Sequence, residues 1–195
     1  LSWAQWLARA LDLPFTSYAL NGATAADVLR DQLPRVRADY DVATLYVGVN
    51  DVRGPRFDER AYERDLEAIA AGLAGRSERL LMLTVPRDLG RPAAAPKPVR
   101  ATAAVWRVAE RHGAVVVDLS DFAGWTMVLP DAVHPTPLGQ LEIADRAARA
   151  LAAPVLPSAL VAGQRGPDVR YVPAHARALA RDLARRARER AMRSG

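Results

Sequence analysis

The sequence contains no cysteine, which excludes disulfide bonds, thiolate metal ligands and a cysteine nucleophile and leaves the redox compartment open. It also lacks any apolar run that approaches the roughly 20 residues needed to cross a bilayer. Lysine is almost missing, because Lys97 is the single lysine among 27 basic residues. What remains is a chain of 195 residues, 50% hydrophobic and 25% charged, a composition typical of one soluble globular domain with an appendage.

The net charge of +5 is concentrated near the carboxyl terminus. Residues 1–150 carry 18 basic and 19 acidic side chains, whereas residues 151–195 carry 9 basic and 3 acidic side chains. The basic isoelectric point therefore comes from the last segment. Any argument for nucleic-acid binding that starts from overall charge concerns that segment alone.

The stretch Val42–Arg53, VATLYVGVNDVR, runs from a strand into a polar turn. Its successive β-branched and aliphatic residues predict a strand that is covered on both faces, as in a parallel sheet. Gly48, Asn50 and Asp51 follow at the carboxyl end of this strand, where open α/β sheets place their ligand crevice. The Asn50 amide can donate hydrogen bonds to a developing oxyanion without bringing a charge. An ordinary Gly/Asn/Asp turn is the alternative.

Strand-like and helix-like segments alternate along the rest of the chain. Buried or β-rich runs predict three further strands: Phe15–Leu20, Arg79–Pro86 and Ala114–Leu119. Helical spacing of apolar residues predicts helices at Trp3–Leu11, Ala25–Leu33, about 58–73, Val99–His112 and Gln140–Leu151. This alternation predicts an α/β fold with a parallel, doubly wound sheet between two helical layers. It gives four strands, and any strand ahead of the first helix would lie outside the chain.

The turn Asn21–Thr24 joins the Phe15–Leu20 strand to the next helix. Thr24 can cap that helix, and Asp27 lies three residues later in the position of a capping box. Gly22 therefore lies where backbone N–H groups point outward and can receive negative charge. A purely structural turn is the alternative.

Asp131 lies three residues before His134 in the run LPDAVHPTPLGQL, just ahead of the Gln140–Leu151 helix. In a turn, this separation lets a carboxylate reach the Nδ1–H of the imidazole. The carboxylate then fixes the tautomer and leaves Nε2 free to act as a general base. A single Asp-x-x-His pair is weak evidence, but Gly22 and Asn50 precede it on suitable elements.

Together these phrases resemble the SGNH hydrolases, also called GDSL esterases and lipases. NGAT, GVND and DAVHPT are similar to the family's second, third and fifth blocks, and the resemblance runs from about Trp3 to Leu151. It implies a flavodoxin-like sheet of five parallel strands, with an oxyanion hole at Gly22 and Asn50. It also implies a catalytic pair at Asp131 and His134, a carboxylic ester as substrate, and no metal or organic cofactor.

The chain departs from the family pattern at the nucleophile. That family uses the serine of a Gly-Asp-Ser motif at the end of the first strand, and no such motif occurs here. None of the serines lies in a suitable position: Ser2, Ser17, Ser77, Ser120, Ser158 and Ser194. We therefore expect an amino-terminally truncated hydrolase that lacks the first strand and is inactive as it stands. A genuine serine-less homologue is the other explanation.

Residues 152–195 fall outside the resemblance and form a carboxyl-terminal extension. Helix signals between Pro173 and Met192 predict a basic helix, with arginines mostly away from a weak apolar stripe. We expect weak contact with anionic surfaces through this helix and no nucleic-acid partner. The alternative function is a catalytically silent α/β binding module whose arginine-rich tail contacts anionic surfaces or nucleic acid. Cytoplasmic location is the default expectation, with secretion left open.

Overall fold

The computed structural model describes residues 1–90, 96–161 and 172–191. Its strands are β1 (Tyr40–Leu45), β2 (Ser77–Leu83) and β3 (Val115–Val117). Its α-helices are α1 (Trp3–Ala10), α2 (Ala25–Asp27), α3 (Val49–Arg53), α4 (Glu59–Ala74), α5 (Pro96–His112), α6 (Pro137–Ala150), α7 (Pro157–Leu160) and α8 (Val172–Ala191). A π-helical turn (Val28–Gln32) and a 3₁₀ turn (Leu33–Arg35) continue from α2.

The three strands form one parallel sheet in the order β1–β2–β3. β1 pairs with β2 from Tyr40 opposite Ser77 to Leu45 opposite Met82, and β2 pairs with β3 up to Leu83 opposite Val117. Parallel neighbours need a crossover connection, which α4 and α5 supply. The prediction of a parallel α/β sheet is therefore confirmed.

Helices cover both faces of the sheet, and the alternation of side chains along β2 shows why. Leu80 and Met82 belong to a core that includes residues of α4 and α5, whereas Leu81 and Leu83 belong to a second core with residues of α1 and α6. Successive strand side chains point to opposite faces. A continuous apolar strand can be buried only between two helical layers, and the fold has three layers for this reason.

Helix starts follow the predicted capping chemistry. The Thr24 side chain accepts a hydrogen bond from the Asp27 amide, and the Asp27 side chain accepts one from the Thr24 amide, which completes the capping box. Ser2 and Gln5 form the same arrangement at α1. These bonds satisfy donors that the first turn of a helix leaves without partners.

One strand prediction is wrong, and a second strand ends earlier than predicted. Phe15–Leu20 is not a strand, since it pairs with no other described segment, and Phe15 and Leu20 are 42% and 54% exposed. A strand needs a neighbour for its ladder, and this segment has none among the described residues. The strand predicted within Val42–Arg53 ends at Leu45, and α3 begins at Val49, so Asn50 and Asp51 lie in a helical turn.

The carboxyl-terminal extension contacts the α/β domain. In α7, the Ser158 amide donates to Asp145 Oδ1 of α6 at 2.8 Å. The α8 residue His175 is half-buried, and its Nε2 lies 3.1 Å from the Val128 carbonyl oxygen. His175 is therefore a contact between this extension and the α/β domain. Weak binding of α8 to anionic surfaces stays a prediction. None of the helices within the described ranges is long and apolar enough to cross a membrane.

Candidate active site

Asp131 and His134 lie on a tight hairpin, Met127–Thr136, which we call the dyad hairpin. The Leu129 amide donates to the His134 carbonyl at 2.9 Å, and the Thr136 amide donates to the Met127 carbonyl at 2.9 Å. Ala132 has φ +55° at the tip, and its amide donates to the Leu129 carbonyl. Backbone bonds within the hairpin therefore fix the separation of the two candidate side chains.

The Asp131 carboxylate holds His134 at two points. Its Oδ2 lies 2.7 Å from His134 Nδ1, and its Oδ1 accepts the His134 amide at 3.0 Å and the Val133 amide at 2.9 Å. Burial raises the pKa of the Asp131 carboxyl, but these hydrogen bonds outweigh burial and bring the pKa below its ordinary value. The carboxylate is thus ionised at neutral pH and orients the ring through Nδ1, which leaves Nε2 for a second partner.

The His134 side chain is 68% exposed, whereas that of Asp131 is 17% exposed. His134 Nε2 has no hydrogen-bond partner among the described residues. The predicted pairing of this carboxylate and imidazole is present, with the free nitrogen open to an incoming molecule.

The first turn of α6 fixes the base of the dyad hairpin. Thr136 caps α6 by accepting the Gly139 amide at 3.0 Å, and it donates its hydroxyl to the Thr126 carbonyl. A Cβ on Gly139 would lie 2.0 Å from the Met127 carbonyl oxygen. Only glycine lets the helix and the hairpin approach this closely.

Asn50 reaches the site through the turn between β1 and α3. Gly48 has φ +122°, and a Cβ there would lie 2.4 Å from the Tyr62 hydroxyl. That hydroxyl donates to the Val47 carbonyl at 3.1 Å, so a side chain of α4 holds the turn in place. Asn50 consequently lies in the first turn of α3, beyond the carboxyl end of β1.

Asn50 and Asp51 tie this turn to the Asn21–Thr24 turn. Asn50 Nδ2 donates to the Ala23 carbonyl at 2.9 Å, and Asp51 accepts the Ala25 amide at 3.0 Å. Burial raises the pKa of Asp51, although the Ala25 amide lowers it in part. Gly22, one residue before Ala23, is exposed and has φ +83°. The structure thus brings Gly22 and Asn50 to the same place, with one Asn50 N–H used in holding the turn.

Arg53 joins this pair of turns to the dyad hairpin. Its Nη1 donates to the Leu89 carbonyl at 2.9 Å and to the Asp131 carbonyl at 3.2 Å. Sequence reasoning included Arg53 in the VNDVR phrase but gave it no role. The spacing could have indicated a role for Arg53, because a residue three positions after Asn50 lies about one helical turn further along α3.

None of the described serines bonds to His134. Ser2, Ser77 and Ser120 donate their hydroxyls to Gln5, Leu73 and Asp118 respectively, and the Ser17 hydroxyl accepts from Ala19. Ser194 lies outside the described residues. The candidate site therefore consists of a base, its orienting carboxylate and two oxyanion-hole candidates.

The described chain resembles solved hydrolases. LAE5, an alpha/beta hydrolase from the metagenome of Lake Arreo in Spain, is 21% identical with a TM-score of 0.64, over 77% of this chain and 81% of that chain. Axe2, an acetylxylan esterase from Geobacillus stearothermophilus, is 15% identical with a TM-score of 0.62 over the same shares. At these identities the likeness shows the fold.

A comparison with curated protein sequences gives no match. The model of the GDSL-like Lipase/Acylhydrolase family matches residues 1–141, a range that includes both turns, the dyad hairpin and the start of α6. This match covers well over half of the chain. The protein therefore belongs to the GDSL-like Lipase/Acylhydrolase family.

Proposed function

We propose that this chain carries the base and the oxyanion hole of a serine hydrolase that cleaves carboxylic esters through an acyl-enzyme. The observation that carries the proposal is the 2.7 Å contact between Asp131 Oδ2 and His134 Nδ1, with Nε2 exposed. His134 accepts the proton of an attacking serine hydroxyl and then passes it to the leaving alcohol. Asp131 fixes the tautomer and stabilises the imidazolium.

Gly22 and Asn50 are the proposed oxyanion donors. The backbone N–H of Gly22 and the second N–H of Asn50 Nδ2 have no protein partner among the described residues. Donors of this kind stabilise the tetrahedral oxyanion when they lie about 2.7–3.1 Å from its position. The bond from Asn50 to the Ala23 carbonyl supports this role, because it fixes the amide before substrate arrives.

The nucleophile in this proposal is a serine outside residues 1–195, carried by a Gly-Asp-Ser segment as the resemblance implies. The 195-residue chain by itself then lacks turnover, since His134 has no hydroxyl to activate. Deacylation repeats the cycle with water, which His134 deprotonates. Esters of small molecules or lipids are the substrate class.

Hydrolysis of p-nitrophenyl acetate tests the proposal. The 195-residue chain is compared with a fusion that carries an apolar strand, Gly-Asp-Ser and a linker of about 15 Gly/Ser residues, roughly 20 Å in mean span, ahead of Leu1. We expect turnover by the fusion alone. His134→Ala in the fusion should lower kcat by at least about 10²-fold.

The matched control is the fusion with alanine in place of the added serine, which should be inactive. Equal hydrolysis by this control and the serine fusion would overturn the proposal. So would full activity of the His134→Ala fusion.

A further inference from the structure

The first turn of α8 lies against the dyad hairpin, with an exposed tryptophan beside it. His175 Nε2 of α8 is 3.1 Å from the Val128 carbonyl oxygen of the hairpin. The ring of Trp125 packs edge-on against the His175 ring, with 5.7 Å between the ring centroids. Trp125 is nevertheless 53% exposed. An apolar surface therefore begins at Trp125 and meets α8 at His175.

Three apolar side chains continue this surface along α8. Val172, Leu179 and Leu183 are 55%, 46% and 57% exposed. Val172 lies three positions before His175, Leu179 lies four after it, and Leu183 lies four further on, so all share one face of the helix. We call Trp125 and these three side chains the apolar ridge. A contiguous exposed apolar surface that is rimmed by polar residues marks an interaction site.

The polar face of α8 is strongly basic. The helix contains six arginines and two acidic residues, which gives a net charge of +4 without His175. Arg177 and Arg181 are both exposed. Arg181 lies two positions after Leu179, which is about 200° round the helix axis, so it lies on the side opposite the ridge. Leucine and tryptophan on one face and arginine on the other are typical of helices that lie in a lipid interface.

We propose that the apolar ridge docks on an anionic lipid bilayer, with α8 in the plane of the headgroups. The ridge enters the boundary between headgroups and acyl chains, and the arginines extend towards lipid phosphates and carboxylates. Trp125 suits this boundary because its ring is apolar and its indole N–H can reach water or a headgroup. α8 is not apolar enough to cross the bilayer, so the protein lies on the surface.

Charge and apolarity together select this partner over two others. A second copy of the chain would bring two helices of net charge +4 together, and their repulsion opposes association. A nucleic acid would attract the arginines but would leave the ridge exposed to water. A bilayer that contains anionic lipids satisfies both faces of α8 at once.

Docking in this orientation presents the dyad hairpin to the bilayer, because α8 and Trp125 contact that hairpin through His175 and Val128. Esters dissolved in the membrane would then meet His134 without first entering water, a consequence that rests on the proposed function. Docking itself requires no turnover, so the inference goes beyond the proposed function.

Co-sedimentation of the 195-residue chain with sucrose-loaded vesicles tests the proposal. Phosphatidylcholine vesicles with about 30% phosphatidylserine are compared with pure phosphatidylcholine vesicles. We expect at least about tenfold stronger partitioning on the anionic vesicles, since each arginine near an anionic surface strengthens binding about fivefold. Salt at about 0.5 M should remove most of this difference, because it shortens the range of the attraction to roughly 4 Å.

Substitutions in the ridge separate docking from simple charge attraction. Leu179→Gln combined with Leu183→Gln keeps good helix formers at exposed positions, so the urea midpoint should not change. Partitioning on the anionic vesicles should fall at least about tenfold, because the buried area of two leucines is lost. Leu160→Gln is the matched control: Leu160 is 44% exposed on α7, outside the ridge, and its substitution should leave partitioning unchanged.

Quenching of tryptophan emission by brominated lipid gives a second readout. Trp125→Phe should remove most of the quenching that the vesicles cause. Trp106→Phe is its control, because Trp106 is 47% exposed on α5, outside the ridge, and it should retain the quenching.

Several results would overturn the inference. They are equal partitioning of the double leucine variant and the wild type, quenching that does not depend on Trp125, and equal binding to neutral vesicles. A dimer in sedimentation equilibrium that the double leucine variant abolishes would assign the ridge to a second copy. DNA binding without vesicle binding would assign α8 to nucleic acid.

The serine fusion separates this inference from the proposed function. If the fusion hydrolyses p-nitrophenyl acetate but does not bind anionic vesicles, the proposed function stands and the docking surface fails. If it binds vesicles through the ridge but hydrolyses no ester, the docking surface stands and the proposed function fails.

Discussion

Gly139→Ala is the sharpest test of how the dyad hairpin is supported. An exposed helical glycine gains about 1 kcal/mol when it becomes alanine, because alanine is the better helix former. At position 139 the new Cβ would lie 2.0 Å from the Met127 carbonyl oxygen and 3.1 Å from Phe122 Cζ. The first of these atoms belongs to the backbone and already accepts the Thr136 amide, so it cannot turn aside as a side chain can.

The helix and the hairpin must therefore separate. Insertion of extra volume into a packed site costs about 1–3 kcal/mol, occasionally more. After the gain in helix propensity, we expect the free energy of unfolding to fall by about 1–2 kcal/mol. The Asp131–His134 contact should loosen as well, because both residues lie between the two ends of the displaced hairpin.

Urea unfolding followed by circular dichroism measures the first effect, and NMR of the imidazole nitrogens measures the second. Gly72→Ala in α4 is the matched control. Its Cβ would lie 2.9 Å from Leu33 Cδ2, the end of a flexible side chain that can move. This control should be neutral or stabilising and should leave the His134 signal in place. A Gly139→Ala protein as stable as the wild type, with an unchanged His134 signal, would refute the reasoning.

Three further predictions concern the supports around the site. Arg53→Ala removes the guanidinium that donates to the Asp131 carbonyl. We therefore expect the free energy of unfolding, measured in urea, to fall by about 1.5–3 kcal/mol. An unchanged urea midpoint would contradict this. Hydrogen bonds lower the pKa of Asp27 from 3.8 to about 2. The bond with the Thr24 backbone has the largest effect, followed by those with the Thr24 and Arg30 side chains. The wild type should therefore be more stable than Asp27→Asn, with the full difference present above pH ~4. This difference should shrink as the pH falls towards about 2. A difference in urea midpoint that is constant over this range would disprove the prediction. Removal of residues 174–195 takes away His175, which contacts the dyad hairpin. The amides of the hairpin should then exchange faster with solvent, while the NMR signal of the Asp131–His134 pair persists. Unaltered exchange rates would show that α8 does not support the hairpin.

The sequence predicted the features that depend on local chemistry. The Thr24–Asp27 capping box and the pairing of Asp131 with His134 both join residues three positions apart, so spacing alone was enough. The parallel sheet followed from apolar runs separated by helices. Each of these signals is contained within a short stretch of chain.

The remaining features depend on partners far along the chain. Phe15–Leu20 has the composition of a strand, but a strand forms only beside a neighbour, and composition does not show whether that neighbour is present. The end of β1 at Leu45 depends on the turn at Gly48, which Tyr62 of α4 supports. Arg53 gained its role from the Asp131 carbonyl, 78 positions away. Such contacts have no local signature.

The Tyr62 hydroxyl has a consequence for how this family member can vary. It occupies the space that a side chain at position 48 would need, and it also bonds to the Val47 carbonyl beside that position. A change of Gly48 is therefore opposed by the backbone angle, by the hydroxyl and by Val85 Cγ2, which would lie 2.8 Å from the new Cβ. Tyr62→Phe removes only the clash with the hydroxyl, leaves the one with Val85, and gives up the bond to Val47. Positions 48 and 62 thus form an epistatic pair, and a homologue that replaces the tyrosine with a smaller residue is the one in which we expect position 48 to drift.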